Sequence, residues 1–243
     1  MVRGLDVFTQ WFKEFSDQYV LIGGTAASLA MQEFGVPFRG TKDLDVVLHL
    51  EALTPEFGQI FWKFIDVGGY EVKQKSNGSP RLYRFQKPKE EDFPWMVELF
   101  SRLPEGVELF EGSRLSPIPM GEDISDMSAI LLDGDYYDFV MTGRKTQEGL
   151  TWIAEDRLIP LKALAWLNLT RSQEAGVPVR SGDIRKHLDD VVNLSNLLSP
   201  QLRVSLAFRI SADLQEFIAK VNVDEYPDFA QVKARLVLAY GLA

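Results

Sequence analysis

Two aspartates separated by one residue, Asp43 and Asp45, are the side chains in this sequence best suited to chemistry. They open the apolar run DLDVVL, which is typical of a buried strand. Because side chains alternate between the two faces of a strand, both carboxylates are predicted to point the same way, ~7 Å apart along the chain. Two carboxylates on one face repel each other unless a cation lies between them. Oxygen ligands of this type favour Mg²⁺, so the pair predicts a Mg²⁺ site.

A pair of adjacent glycines precedes this strand. Gly23 and Gly24 end a short apolar run at 19–22, which is long enough for a buried strand. Adjacent glycines suit a tight turn that leaves the backbone open to a ligand. Thr25 can cap the helix predicted at 26–34, a stretch rich in helix-forming residues.

Three further charged residues could belong to the same site, although each also has an ordinary explanation. Arg39 and Lys42 lie in the loop before Asp43, where charged side chains are most often only solvated. Glu98 lies among apolar neighbours in a strand-like run at 95–100. A buried carboxylate is costly unless it has a partner. Glu98 is therefore either an edge-strand acid facing water or a third metal ligand from a neighbouring strand.

A helix predicted after Pro160 carries one charged residue, Lys162, within the apolar segment 158–169. A lone lysine on a buried helix either extends its ammonium group to water or meets an anion such as a phosphate. A flexible connection follows this helix.

The next predicted helix is capped by Ser181 and covers 183–198. Lys186 and Asp190 are four residues apart on it, which fits an exposed ion pair that contributes about 0.2–0.5 kcal/mol. A second acidic pair, Asp133 and Asp135, flanks a glycine and is interpreted as part of a turn. The predicted turn at 75–80 and the Gly- and Pro-rich segment at 101–126 carry no assigned chemistry.

The order of these features resembles the nucleotidyltransferase superfamily with a polymerase-β-type core. The likeness is carried by Gly-Gly-Thr at 23–25 and by R-x-T-x-D-L-D at 39–45. Within that superfamily the chain resembles the AbiEii/MenT-like group of toxin nucleotidyltransferases, whose Lys-Asp-x-x-Asp-[Ile/Leu] motif corresponds to KHLDDV here. Lys186 and Asp190 match that motif, whereas His187 stands where the group usually has Asp.

The resemblance implies an α+β fold, with a nucleotidyltransferase-like mixed sheet and flanking helices followed by a C-terminal helical bundle. The implied domains are 1–146, the nucleotidyltransferase core, and 147–243, the helical domain. The implied catalytic residues are Asp43, Asp45, Lys162 and Asp190. The implied metal ligands are Asp43, Asp45 and Glu98. The residues implied to bind the nucleotide are Gly23, Gly24, Thr25, Arg39, Lys42 and Lys186.

The implied reaction is the Mg²⁺-dependent transfer of a nucleoside monophosphate from a nucleoside triphosphate, with ATP among the candidates, to an acceptor. For the toxin-like group the acceptor would be tRNA or a protein, and an antitoxin is an expected partner. Two alternatives stay open: a transferase that modifies a small molecule of the aminoglycoside type, and a non-catalytic domain that binds a nucleotide or a partner.

Composition excludes several other classes of site and partner. The chain has 243 residues, a net charge of -9, two histidines and no cysteine. Disulfides, thiol nucleophiles and zinc–thiolate sites are therefore excluded, and the acidic balance argues against non-specific DNA binding. No apolar run approaches the roughly 20 residues that span a bilayer, and the N-terminus lacks a signal-peptide pattern. A cytoplasmic protein without a membrane partner is expected.

Overall fold

The computed structural model describes residues 2–74, 80–104, 115–118, 127–223 and 226–242. The turn predicted at 75–80, apart from its last residue, and most of the segment 101–126 lie outside the described residues. The chain divides into two compact units. Unit 1 comprises Met1–Ser28 and Phe38–Ile153, and unit 2 comprises Leu29–Pro37 and Ala154–Ala243.

The described part of unit 1 contains one mixed sheet. Its strands are β1 (Tyr19–Ile22), β2 (Asp43–Leu48), β3 (Glu71–Gln74), β4 (Pro80–Gln86), β5 (Met96–Ser101), β6 (Leu115–Ile118), β7 (Met127–Leu131), β8 (Arg144–Gln147) and β9 (Leu150–Ile153). Their order across the sheet is β3-β4-β5-β2-β1-β9-β8, and β7 pairs with both β5 and β6. Strands β2 and β5 run parallel, whereas β2 is antiparallel to β1 and β5 is antiparallel to β4.

Four helices begin in the described part of unit 1: α1 (Leu5–Phe12), which continues into a 3-10 turn at Lys13–Phe15, α2 (Gly23–Glu33), α3 (Pro55–Gly68) and α4 (Gly134–Thr142). Helices α1 and α3 share an aromatic cluster in which the Phe12 ring lies 5.3–6.3 Å from the rings of Tyr19, Phe61 and Phe64. Phe85 of β4 joins this cluster through Phe61, at 5.4 Å. Because side chains alternate along β4, Arg84 faces the opposite side of the sheet.

Helix boundaries in unit 1 follow local chemistry. The Thr54 side chain accepts a hydrogen bond from the Phe57 N–H at the start of α3, and Gly69 ends the helix in the left-handed conformation. Asp133 caps α4 by accepting from the Asp135 N–H. The second acidic pair therefore begins a helix, where the sequence predicted a turn between two short runs.

Among its described residues, unit 2 contains four long helices besides the end of α2: α5 (Glu155–Glu174), α6 (Ser181–Ser195), α7 (Phe208–Lys220) and α8 (Phe229–Tyr240). They share a core in which the Phe217 ring lies 5.2 Å from that of Trp166 and 5.7 Å from that of Phe229. A mixed sheet with flanking helices, followed by a helical C-terminal part, is the predicted fold class and is confirmed.

Three local predictions differ from the structure. The predicted boundary at 146/147 falls within β8, and β9 still belongs to the sheet of unit 1. Helix α5 begins at Glu155, which places Pro160 inside the helix instead of in its first turn. Ser181 is the first residue of α6 and Arg180 is its N-cap residue, with no capping hydrogen bond from its side chain.

Candidate functional site

The two aspartates of β2 share one face of the sheet in unit 1. Leu44 between them is fully buried, whereas Asp43 and Asp45 are each partly exposed. Strand β2 lies between β1 and β5, so these carboxylates stand in the interior of the sheet and not at its edge.

The carboxylate of Asp45 lies against the first residue of helix α2. Gly23 has a φ of 65°, and a Cβ atom built on it would stand 1.8 Å from Asp45 Oδ2. Both the left-handed backbone and the close carboxylate therefore require glycine at this position. The first N–H groups of a helix have no partner within it, and the helix dipole favours an anion there. The structure thus places an acid at a helix start that is suited to anions.

Gly24 brings the backbone close to a polar part of the 38–42 loop. A Cβ atom at Gly24 would lie 2.8 Å from Thr41 Oγ1 and 3.8 Å from a guanidinium nitrogen of Arg39. The Arg39 guanidinium also lies 5.3 Å from the Phe38 ring. Gly23, Gly24, Arg39 and Asp45 are therefore brought together in unit 1.

Thr25 does not cap the helix as predicted, because α2 already begins at Gly23. Its side chain is fully buried, and its hydroxyl donates a 2.9 Å hydrogen bond to the Asp43 carbonyl oxygen. This bond ties the start of α2 to the start of β2. The predicted contact of Thr25 with a nucleotide stays a prediction.

Glu98 stands next to Asp45 on the neighbouring parallel strand. The register pairs Asp45 with Glu98 and Glu98 with Arg84, so the three side chains form a row across β2, β5 and β4. Glu98 is 8% exposed and accepts a hydrogen bond from Arg84 Nε. The edge-strand interpretation of Glu98 is wrong because β5 lies between β2 and β4. Its role as a metal ligand stays a prediction.

Lys42 is exposed, and its ammonium group lies 5.1 Å from the centre of the Trp95 ring. The guanidinium of Arg3 lies 5.5 Å from the same ring. Cation–π contacts of this length are attractive and hold the lysine at Trp95. The predicted contact between Lys42 and a nucleotide is not tested by this geometry.

Unit 2 brings together two of the other predicted residues. Lys162 of α5 and Asp190 of α6 form an ion pair with 2.8 Å between Nζ and Oδ2, and their side chains are only 6% and 1% exposed. The interpretation in which Lys162 extends to water is therefore wrong, because its partner is a buried carboxylate. Lys186 lies on the exposed side of α6.

The residues of unit 1 fit a magnesium ion through two carboxylates. Within the part of the chain that the structure describes, no group of three or more His, Asp or Glu side chains is arranged to hold a metal ion. Mg²⁺ does not need such a group, since it commonly keeps several waters and takes one or two protein carboxylates together with substrate phosphates. Asp43 and Asp45 supply that number.

Sequence reasoning did not identify Arg84, which pairs with Glu98. The sequence shows that Arg84 alternates with Tyr83 and Phe85, which indicates a strand with one polar face. The partner of that face depends on how β4 aligns with β5, and no local pattern encodes this register.

The structure resembles one solved structure described as an antigenic nucleotidyltransferase-like protein from Paracoccidioides brasiliensis. The TM-score is 0.52 at 17% sequence identity, and the match covers 94% of this chain and 89% of the other. The fold is nucleotidyltransferase-like. At this identity, the similarity establishes the fold and not the activity.

The sequence itself matches no protein-family profile and no curated protein. The nucleotidyltransferase-like fold therefore stands on the structural match and on the order of its strands and helices. None of the helices in the described residues is both long and apolar enough to cross a membrane.

Proposed function

We propose that this protein is a Mg²⁺-dependent nucleotidyltransferase that moves a nucleoside monophosphate from a nucleoside triphosphate to an acceptor. The observation that carries the proposal is the contact between the Asp45 carboxylate and Gly23 at the start of α2, with Asp43 on the same strand face. The nucleotidyltransferase-like fold supports it.

In this proposal each part of the site has a distinct task. The backbone at Gly23 and Gly24 binds phosphate oxygens through N–H groups at the helix start. Asp43 and Asp45 hold the ion, and bound Mg²⁺ would neutralise charge on the phosphoryl oxygens. Arg39, whose guanidinium lies near Gly24, adds positive charge beside the phosphates.

Lys162 and Asp190 are proposed as further catalytic residues on the basis of the resemblance to the AbiEii/MenT-like group. A buried ion pair often adds no net stability compared with apolar residues of similar size. The burial of Lys162 and Asp190 is therefore consistent with a role in the reaction. The same resemblance supports tRNA or a protein as the acceptor, an antitoxin as a partner and the cytoplasm as the location. Lys42, Lys186 and Thr25 keep their proposed roles in nucleotide binding.

A transfer assay with labelled nucleotides tests the proposal. The purified protein is incubated with each α-labelled nucleoside triphosphate, Mg²⁺ and a mixture of tRNA, its own polypeptide and an aminoglycoside. The variant that combines Asp43→Asn with Asp45→Asn is expected to lose at least about 100-fold in transfer, since it removes both proposed metal ligands.

The matched control combines Asp66→Asn with Asp138→Asn, two exposed aspartates of unit 1 that lie on α3 and α4. It changes the net charge equally and is expected to keep full activity. Equal activity of the Asp43/Asp45 variant and the parent would refute the metal assignment. Nucleotide binding without transfer to any acceptor would favour the non-catalytic alternative, and labelling of the aminoglycoside would favour the small-molecule one.

A further inference from the structure

Arg84, Glu98 and Asp45 occupy one row on one face of the sheet. The antiparallel register sets Arg84 opposite Glu98, and the parallel register sets Glu98 beside Asp45. Neighbouring strands lie about 4.8 Å apart, so the side chains of Arg84, Glu98 and Asp45 leave the sheet close to one another. The row ends at Ile22, the β1 partner of Asp45, and Gly23 follows directly. Arg84 is thus two strands away from the aspartate that contacts the start of α2.

Two carboxylates side by side on neighbouring strands destabilise each other. Glu98 tolerates its position beside Asp45 because Arg84 supplies a fixed positive charge from the other side. Both Nε and Nη2 of Arg84 contact Oε1 of Glu98. Asp43, Asp45 and Glu98 with Arg84 therefore carry a combined charge of three negatives and one positive, or −2. One divalent cation neutralises that charge before a nucleotide binds.

Burial indicates which end of the ion pair is accessible. The Glu98 side chain is 10% exposed, whereas that of Arg84 is 34% exposed. An arginine that is anchored by a buried carboxylate and partly open to solvent loses little freedom when it binds an anion. Its planar guanidinium matches the geometry of phosphate oxygens.

We infer that Arg84 is a phosphate-binding residue of the same site, that Glu98 positions it and is not a metal ligand, and that the site takes one divalent cation. This inference rests on the proposed function, because it assigns the anion as the polyphosphate of the nucleotide. Asp43 and Asp45 hold the ion on one side, and the Arg84 guanidinium supplies the positive charge on the other.

Two binding measurements on the full chain test the inference. The first titrates Mn²⁺ alone and counts bound ions by electron paramagnetic resonance. The parent and Glu98→Gln are both expected to bind one ion, with Kd values within about threefold, whereas Asp45→Asn weakens binding at least about tenfold. The second measures inorganic triphosphate by calorimetry in the presence of Mn²⁺. Arg84→Gln is expected to weaken triphosphate binding roughly tenfold, and Glu98→Gln is expected to weaken it as well. Arg84→Lys should retain part of the affinity that Arg84→Gln loses.

Another Arg–Glu pair of unit 1 provides the matched control. Arg102 Nη2 contacts Glu51 Oε1 beyond the far ends of β5 and β2. Burial alone would raise the pKa of Glu51, but the hydrogen bonds from Arg102, the backbone and Tyr137, together with the positive charge of Arg102, outweigh it and lower that pKa below its ordinary value. Glu51 is therefore ionised at neutral pH in its contact with Arg102. Glu51→Gln is expected to leave both Mn²⁺ and triphosphate binding unchanged. Circular dichroism and thermal melting verify that each variant is folded.

Two results would overturn the inference and leave the proposed function intact. One is a parent that binds two Mn²⁺ ions and a Glu98→Gln variant that binds one. The other is an Arg84→Gln variant with unchanged affinity for triphosphate. If the proposed function is wrong, the parent is expected to show no Mn²⁺ binding that depends on Asp43 and Asp45. That result would contradict the inference as well.

Discussion

At the scale of single residues, Gly23 shows most directly why the sequence has this form near the proposed site. The glycine pair predicts a turn that exposes the backbone, and the structure adds a second reason for glycine. A side chain at position 23 would overlap the carboxylate of Asp45. The sequence could not show this, because the contact depends on the pairing of Ile22 with Asp45 across β1 and β2.

Replacing Gly23 by alanine is expected to cost more than backbone strain alone. Gly35→Ala is the matched control, since Gly35 has a φ of 68° and nothing within 4 Å of an added Cβ atom. The control should lose about 1–2 kcal/mol in the free energy of unfolding. Gly23→Ala should lose at least about 1 kcal/mol more and also weaken Mn²⁺ binding, because the Asp45 carboxylate must move. Urea unfolding and Mn²⁺ titration measure both effects, and equal losses would contradict the contact.

The buried pair of Lys162 and Asp190 makes a second prediction at the residue scale. Asp190→Asn is expected to destabilise the protein by about 3–5 kcal/mol, because it removes the carboxylate that balances a buried ammonium group. Asp189→Asn is the control: this neighbour is exposed, 3.8 Å from Arg185, and should change stability by less than about 1 kcal/mol.

A variant that combines Lys162→Met with Asp190→Leu separates stability from chemistry. Its free energy of unfolding should approach that of the parent, since apolar replacement of a whole buried pair is often neutral. If the pair serves catalysis, this variant is folded and inactive in the nucleotide-transfer assay. A folded variant with parental activity would remove Lys162 and Asp190 from the proposed catalytic residues.

At the scale of elements, helix α5 shows how a distant residue can compensate for a local defect. Pro160 lies inside this helix and has no N–H to donate to the Asp156 carbonyl, four residues earlier. The Tyr240 hydroxyl at the end of α8 donates to that carbonyl at 2.8 Å. Burial raises the pKa of Tyr240 well above its ordinary value, so the hydroxyl keeps its proton.

Tyr240→Phe is expected to lower the free energy of unfolding by about 0.5–1.5 kcal/mol, because the Asp156 carbonyl then loses its donor. The same change should cost distinctly less in a Pro160→Ala background, where a backbone N–H at position 160 can bond the carbonyl. A double-mutant cycle measured in urea provides the comparison. Additive losses would show that Tyr240 does not substitute for the missing helix bond.

Elements with strong local signals were predictable, and those that depend on pairing were not. The cap at Thr54 and the left-handed Gly69 make the limits of α3 readable from sequence. The hairpin of β8 and β9 was not predicted because RKTQ contains no apolar residue and so shows no strand alternation. Glu148 and Gly149 form the turn between these two four-residue strands, and both have a positive φ. The glycine is the residue in the sequence that indicates such a hairpin turn.

At the scale of the whole molecule, the order of elements carries more information than any one motif. Strands β1, β2 and β5 belong to one sheet of the nucleotidyltransferase-like fold, and the glycine-led helix α2 begins directly after β1. The relative spacing of Asp43 and Asp45 was predictable, since it follows from strand alternation. The partners of Glu98 and Lys162 were not, because each pair joins segments that are distant in sequence.

The most direct measurement of the proposed site is the melting temperature with each of the four nucleoside triphosphates, with Mg²⁺ or with EDTA. At least one triphosphate should raise the melting temperature of the parent by about 5 °C or more at 100-fold excess over its Kd, and only with Mg²⁺. The Asp43→Asn, Asp45→Asn variant should show no such rise. An equal rise in that variant, or no rise with any of the four in the parent, would contradict a nucleotide site built on Asp43, Asp45 and the start of α2.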